Sequence, residues 1–388
     1  MFFCRETIAR LLSTTTTRIV GIITVASLLA LHPQSHADTV NASLREFGSG
    51  FNGGGVAFSP DGDAVLLSTD DGAVLLDKAT GLLLQTFAGH TLPVYAVALS
   101  PDGGQVLTGS RDATAKLWNV ATGAEIRTFS GHANDINAVA ISPDGTQVLT
   151  GANDNTAKLW DLATGAELRT FTHSDVVVSV AFSSDGVMVL TASWDNTAKL
   201  WDGASGTELR SFDHTYALNS AAISQNNSVV LTGSNDNTAK LWDVPSGTEL
   251  RTFSGHTYYV TSVAIAPDGI HILTGSRDNT AKLWDWISGS ELRTFSAHTD
   301  WLSSVTFSPD GTQVLTGAWD ETANLWDVSD LVPGGEGEGE GEGEGETGGC
   351  PASKSSIGGK PGARVGDLFL LGLALATLAS FGALDRRS

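Results

Sequence analysis

A tryptophan returns at positions 118, 160, 201, 242, 284 and 326, each 41 or 42 residues after the last, and a histidine precedes every one of them by 28 residues. Self-similarity at a period of about 40 to 45 residues means that one supersecondary unit is copied along the chain, each copy able to bury its apolar surface only against its neighbours. The period therefore constrains architecture tightly. It constrains function weakly, because a repeated scaffold does not name its partner.

Aligned on the tryptophan, one copy reads Gly131-His132, a β-rich run over 136–142, the turn Pro143-Asp144-Gly145, a second run over 147–150, the turn Asn153-Asp154-Asn155 and a third run over 156–161. Pro, Asp, Asn and Gly at those points supply the fixed φ, the side-chain-to-backbone hydrogen bonds and the tolerance of φ > 0 that tight turns require. A fourth run, 166–171, follows Ala163-Thr164-Gly165. Four short antiparallel strands in 41 or 42 residues leave no room for a helix, so the class is all-β and each copy is one small twisted sheet.

A degraded copy precedes the six that carry tryptophan. Leu76-Asp77 stands 42 residues before Trp118-Asn119, and Asp70 sits six before Leu76, as Asp112, Asp154, Asp195, Asp236, Asp278 and Asp320 each sit six before their tryptophan. Seven sheets are expected. Leu44-Arg45-Glu46-Phe47 matches the fourth-strand segment Leu168-Arg169-Thr170-Phe171, whereas the chain after Trp326-Asp327 offers no such strand. An N-terminal strand completing the last sheet would close the array into a ring that leaves only short, protected edges.

Gly-His, Ser-Pro-Asp-Gly and Leu-Thr-Gly-Ser-Xaa-Asp-Xaa-Thr-Ala-Lys-Leu-Trp-Asp, recurring together, resemble the WD-repeat (WD40) family over residues 44–328. The resemblance implies a seven-bladed β-propeller and, in each blade, a hydrogen-bonded structural tetrad. Carried onto this chain the tetrads are His90, Thr108, Asp112 and Trp118; His132, Thr150, Asp154 and Trp160; His173, Thr191, Asp195 and Trp201; His214, Thr232, Asp236 and Trp242; His256, Thr274, Asp278 and Trp284; and His298, Thr316, Asp320 and Trp326. The first blade departs from the pattern, with Gly48, Leu66 and Leu76 where histidine, threonine and tryptophan belong. It is expected to be the loosest blade unless packing replaces the network.

A buried imidazole, carboxylate and indole N–H each need a partner, and a fully satisfied chain of them specifies one packing. Strict recurrence in every blade favours that structural role over metal binding or catalysis. No nucleophile motif, phosphate loop, dinucleotide fingerprint or ligand cluster stands outside the repeat, so no catalytic, metal or cofactor residue is assigned and no enzyme is expected. The fourth strands carry Glu125/Arg127, Glu167/Arg169, Glu208/Arg210, Glu249/Arg251 and Glu291/Arg293 two residues apart. Period-two geometry would put each pair on one face, as a solvated rim that discourages edge pairing.

Both chain ends suggest export. Arg5, Arg10 and Arg18 precede an apolar run over 19–31, and Ser35-His36-Ala37 forms a small-Xaa-small site, so residues 1–37 read as a secretory signal peptide and the propeller domain as 38–332. Residues 333–365 read as a disordered, extended linker: Pro333-Gly334-Gly335 is followed by alternating Glu and Gly through Glu346, a run with no apolar residue to bury. Residues 366–388 hold the apolar segment 368–384, near the minimum for a membrane-anchoring helix, and then Arg386-Arg387. Cys350, that segment and the arginines, in this order, resemble the tripartite C-terminal sorting signals of bacterial surface proteins, which implies that Cys350 is a processing or attachment point. With Cys4 removed by cleavage, no intrachain disulfide can form.

The formal charge is −21, and loss of Arg5, Glu6, Arg10 and Arg18 removes a net +2 and leaves −23. That excludes nucleic acid as a natural partner. In resembling propellers the turns before the first and third strands form the docking face; here they carry Tyr95, Arg111, Asp135, Asp175, Trp194, Tyr216, Tyr258, Tyr259, Arg277, Asp300, Trp301 and Trp319. Aromatics and arginine are enriched at interaction hot spots. Tyr95, Arg111, Trp194, Tyr259, Arg277, Trp301 and Trp319 are the candidate partner-binding residues of a monomeric, non-catalytic scaffold tethered at the bacterial envelope and binding a protein or peptide. The alternative is a carbohydrate-binding or carbohydrate-cleaving propeller using Asp135, Asp175 or Asp300, which would need two carboxyls about 5 to 9.5 Å apart.

Overall fold

The computed structural model describes residues 38–40, 43–48 and 51–331. The expectations for residues 1–37 and from 332 onward, Cys350 among them, lie outside the described residues. Each blade is built on four antiparallel strands, in chain order in blades one to six; in blade three they are Ile136–Ile141, Gln147–Ala152, Thr156–Asp161 and Glu167–Thr172. Seven such sheets are present among the described residues. The ring closes through the N-terminus: Arg45–Phe47 pairs antiparallel with Ala323–Asp327, with Arg45 opposite Leu325 and Phe47 opposite Ala323. A further strand, Asp38–Val40, runs parallel to Glu291–Phe295 and gives blade six a fifth strand that the repeat pattern did not foretell.

The turns follow from their residues. After the first strand of blade three, Ser142 Oγ donates to Asp144 Oδ1 at 2.6 Å, the Thr146 amide donates to the same oxygen at 3.0 Å, and Gly145 takes φ +70°. At the turn before the third strand the left-handed residue is asparagine in four blades, Asn155, Asn196, Asn237 and Asn279, but Ala113 and Glu321 adopt φ +63° in blades two and seven. Those two side chains sit where only short polar residues and glycine sit without strain.

The core lies in the seams between blades. A Cβ on Gly151 would come within 2.9 Å of the side chains of Val177 and Val180 in the next blade, and Gly109, Gly233 and Gly275 face Val139, Val263 and Val305 at 2.6 to 2.8 Å. Blade four has Ala192 at this position, and blade five answers with the smaller Ala221 in one shared cluster. The seam thus conserves volume, glycine against valine or alanine against alanine, as close packing demands.

Blade one replaces its missing network with apolar packing. Leu66 and Leu76 are buried, Leu66 beside Leu75, Phe87 and Trp118, and Leu76 beside Phe47, Phe58, Leu67 and Leu325. Asp70, by contrast, is exposed: with no imidazole at Gly48 to receive it, the carboxylate stays in water.

The outer strands do more than solvate a rim. A β-bulge between Glu125 and Arg127, repeated in the following blades, breaks the two-residue period. Glu125 stays in its own sheet, accepting from Lys116 Nζ at 2.7 Å, while the Arg127 guanidinium donates to the Ala163 and Thr164 carbonyls of the next blade. Arg45, Arg169, Arg210, Arg251 and Arg293 make the equivalent reach, and Gln85 makes it from blade one to the Val120 carbonyl. Every seam therefore carries an outer clamp.

Candidate functional site

Inside each tryptophan blade a polar chain runs from surface to core. In blade three His132 Nδ1 lies 2.8 Å from Asp154 Oδ2, His132 Nε2 lies 2.7 Å from Thr150 Oγ1, and Trp160 Nε1 donates to Thr150 Oγ1 at 2.9 Å. A carboxylate only accepts, so Nδ1 carries the proton, Nε2 accepts from the threonine hydroxyl, and the hydroxyl oxygen accepts from the indole. The same three contacts recur from His90 to Trp118 and from His298 to Trp326. A fifth member joins them: Thr156 Oγ1 donates to Asp154 Oδ1 at 2.6 Å, and the Ala133 amide donates to Oδ2 at 2.9 Å. Its sequence signal was the threonine repeated four residues before each tryptophan.

The electrostatics suit fasteners. Burial pushes the His90, His132 and His173 imidazoles below the usual histidine range, against the opposing pull of their carboxylate partners. Burial alone would raise Asp154, but hydrogen bonds from Thr156, the Ala133 amide and His132 outweigh it and hold the carboxyl low. At Asp236, where His214 and Thr238 donate, the same opposition to burial leaves the pKa at about 2. In blade three both ring nitrogens of His132 and both carboxylate oxygens of Asp154 are taken up by hydrogen bonds within the blade. Among the described residues, no three His, Cys, Asp or Glu side chains gather in a metal-holding group.

The central channel is a separate site, a cavity of about 670 Å³ touched by all seven blades. Its wall is polar because the inner strands are laced by side chains instead of backbone pairing. Asn137 Nδ2 donates to the Val177 carbonyl at 3.0 Å, Asn219 to Val260 at 2.9 Å, Thr261 Oγ1 to Leu302 at 2.6 Å and Ser303 Oγ to Gly54 at 3.0 Å, each crossing to the next blade. Residue spacing gives these latches no signature, since three different residue types make them at one register position. At that position Tyr95 and Val178 carry no such latch. The seam from Tyr95 is bridged instead at the rim, where Arg111 Nε lies 3.4 Å from Asp135 Oδ2.

The candidate binding residues divide between two neighbouring cavities. Tyr95, Arg111, Trp194, Arg277 and Trp319 line the channel together with Asp135. Tyr216, Tyr258 and Tyr259 line a second cavity of about 710 Å³ between blades four, five and six. The two are joined by a stack. Tyr258 and Tyr259 have ring centroids 4.4 Å apart, and the Arg277 guanidinium lies 5.6 Å from the Tyr259 ring and 4.6 Å from the Trp301 ring. Trp194, Trp301 and Trp319 are 47, 43 and 55% exposed, far outside the range of the tetrad tryptophans. Asp175 and Asp300 do not line the channel; each accepts the amide of its own next residue at 2.8 Å, so only Asp135 of the three stands there, and it is held by Arg111.

Residues 81–119, 123–161, 165–202, 206–243, 247–285 and 289–327 match the family described as WD domain, G-beta repeat. Each match begins before an outer strand and runs through the next three strands. A stretch of 63 residues is 36% identical to the intraflagellar transport protein 122 homologs of Homo sapiens and Mus musculus and 35% identical to that of Danio rerio. That stretch is 16% of this chain and 5% of each relative, so the likeness is confined to a small part of those proteins.

Proposed function

Because the chain belongs to the WD-repeat family, whose propellers typically serve as protein-interaction scaffolds, we propose that it is a non-catalytic scaffold that binds a protein or peptide over its channel mouth. The observation that carries this reading is the exposure of Trp194, Trp301 and Trp319 on one face, where the repeat does not require an aromatic ring. Exposed indoles cost solvation without adding to the fold, and they cover large area at little loss of rotamer entropy when a partner arrives. The tetrad carboxylates and imidazoles are consumed in holding blades together, which leaves the face to recognition and not to chemistry.

We place the scaffold at the bacterial cell envelope. Support comes from the basic-then-apolar segment before Ser35-His36-Ala37 and from the succession of Cys350, the apolar segment 368–384 and Arg386-Arg387. Between propeller and anchor the Glu/Gly run would act as a spacer. The excess of Asp and Glu, 43 against 22 Lys and Arg, favours partners that are not polyanions.

The test is affinity capture from envelope extracts with the full chain, comparing wild type with a Trp194→Ala/Trp301→Ala/Trp319→Ala variant. Loss of specific proteins from the variant's eluate is expected, at unchanged far-ultraviolet circular dichroism. Identical capture profiles would remove the aromatic face from the reading.

A further inference from the structure

We infer that the channel mouth reads a carboxylate, and that the occupant is an extended peptide segment presenting Glu or Asp to Arg277. The inference rests on the docking face proposed above and names the chemistry that the face selects. Its starting point is an arginine without a polar partner. Arg45, Arg127, Arg169, Arg210, Arg251 and Arg293 spend their guanidinium donors on carbonyls of the next blade, and Arg111 lies against Asp135. The Arg277 side chain makes no hydrogen bond or ion pair with any described residue. Its contacts are the rings of Tyr259 and Trp301, and Tyr258 stacks behind Tyr259.

Ring packing engages a face of the guanidinium and leaves the N–H donors along its edge unused. A guanidinium packed on two rings gives up less side-chain freedom on binding than one free in water, and its two-donor fork matches a planar carboxylate. The surroundings agree in sign. The cavity is lined by two arginines, Arg111 and Arg277, and one carboxylate, Asp135, in a chain where acidic residues outnumber basic ones by 43 to 22. Arg111, whose Nε lies 3.4 Å from Asp135 Oδ2, lines the same cavity and adds to its positive side. Charge complementarity thus selects a single acidic group for the centre of the face, with Trp194 and Trp319 left to cover the flanking residues. A peptide suits the face better than a compact anion, because exposed Trp194 and Trp319 line the same cavity as Arg277 and offer ring area that only the neighbouring residues of a chain can cover.

The chain's own acidic run is the other candidate occupant. The described chain leaves the propeller through Ser329–Leu331, after the third strand of blade seven, at the end of the sheet opposite the turns that form the mouth. That direction favours an external partner.

The experiment uses the full chain and two capped peptide libraries, one with Glu and the other with Gln at the centre of four randomised positions, with binding read by fluorescence anisotropy. Wild type is expected to prefer Glu by about 10-fold or more, the worth of a charge-assisted hydrogen-bond pair. Arg277→Gln is expected to erase that preference at an unchanged thermal midpoint, and Arg277→Lys to restore part of it, since ammonium keeps the charge and loses the fork. Equal binding of the two libraries by wild type overturns the carboxylate assignment while the docking face stands, provided that the triple tryptophan variant loses both. Preference for Glu that survives in Arg277→Gln also overturns it. Binding of neither library, by wild type or by the chain whose six glutamates of 336–346 are replaced by glutamine, removes the docking face and this inference together. Retention of oligogalacturonate in place of Glu peptides overturns the peptide occupant. Glu-peptide binding that emerges only after the six glutamates of 336–346 are replaced by glutamine makes the chain's own run the occupant and overturns the external partner.

Discussion

Thr150→Val tests the polar chain at its hinge. Thr150 is fully buried, and its hydroxyl serves two partners, His132 Nε2 at 2.7 Å and Trp160 Nε1 at 2.9 Å. Valine keeps the branched shape but replaces the oxygen by a methyl group, so one indole donor and one imidazole acceptor are left buried and unpaired. Each orphaned group costs about 1 to 3 kcal/mol, which sets the loss at about 2 to 5 kcal/mol once partial relaxation is allowed. The assay is equilibrium denaturation in guanidinium followed by circular dichroism, with m held as a check on the unfolded state. Trp160→Phe supplies the second edge of a double-mutant cycle. In its background Thr150→Val orphans only the imidazole, so its cost should fall by about 1 to 3 kcal/mol. A Thr150→Val cost below about 0.5 kcal/mol, or full additivity of the two substitutions, would refute the claim that this hydroxyl couples imidazole to indole.

Three further outcomes follow from the geometry. Ala221→Val should overpack the seam against Ala192 and cost about 1 to 3 kcal/mol, and Ala192→Gly in the same chain should recover most of it; no recovery would mean that the two side chains do not share one volume. Glu321→Asn should raise stability by about 1 kcal/mol by relieving the left-handed backbone at φ +63°, measured by the same denaturation, and a decrease would contradict it. Acid should destabilise in two windows. His90, His132 and His173 are held below the ordinary value of 6.5 in the folded chain, so the unfolded chain binds more protons there, and their contribution, present above pH 6.5, is lost as pH falls below it. Asp236 titrates at about 2 against 3.8 unfolded, so its contribution goes only as pH falls from about 4 towards 2. Calorimetry in buffers of different ionisation heat should find proton uptake on unfolding between pH 5 and 6.5, and proton release there would reverse the sign of the argument.

Much of this was legible in the residue order. The blade count needed only the tryptophans, Leu76 and the stray segment at Leu44, because each blade repeats the same local contacts and the copies check one another. Blade one shows where legibility stopped. The losses at Gly48, Leu66 and Leu76 were plain, but whether leucines would fill the space depended on Phe47, Phe58 and Leu325, which come from three separate parts of the chain. A strict two-residue period makes the outer-strand arginines a solvated rim, and the structure departs from that period. The bulge that frees Arg127 to reach Ala163 has no residue signature of its own.

The sequence by itself therefore determined the repeating sheet, its turns, the number of sheets and the strand that closes the ring. All four follow from hydrogen-bonding and burial patterns that repeat within one copy of about 40 residues. Only the tertiary structure decided what happens between copies: the amide from Asn137 to the Val177 carbonyl, the matched volumes of Ala192 and Ala221, the extra strand Asp38–Val40 on blade six, and the packing of Arg277 on Tyr259 and Trp301. The reason is geometric. Which side chains meet across a seam depends on how one twisted sheet is turned against the next, and residue spacing within a single copy carries no record of that angle.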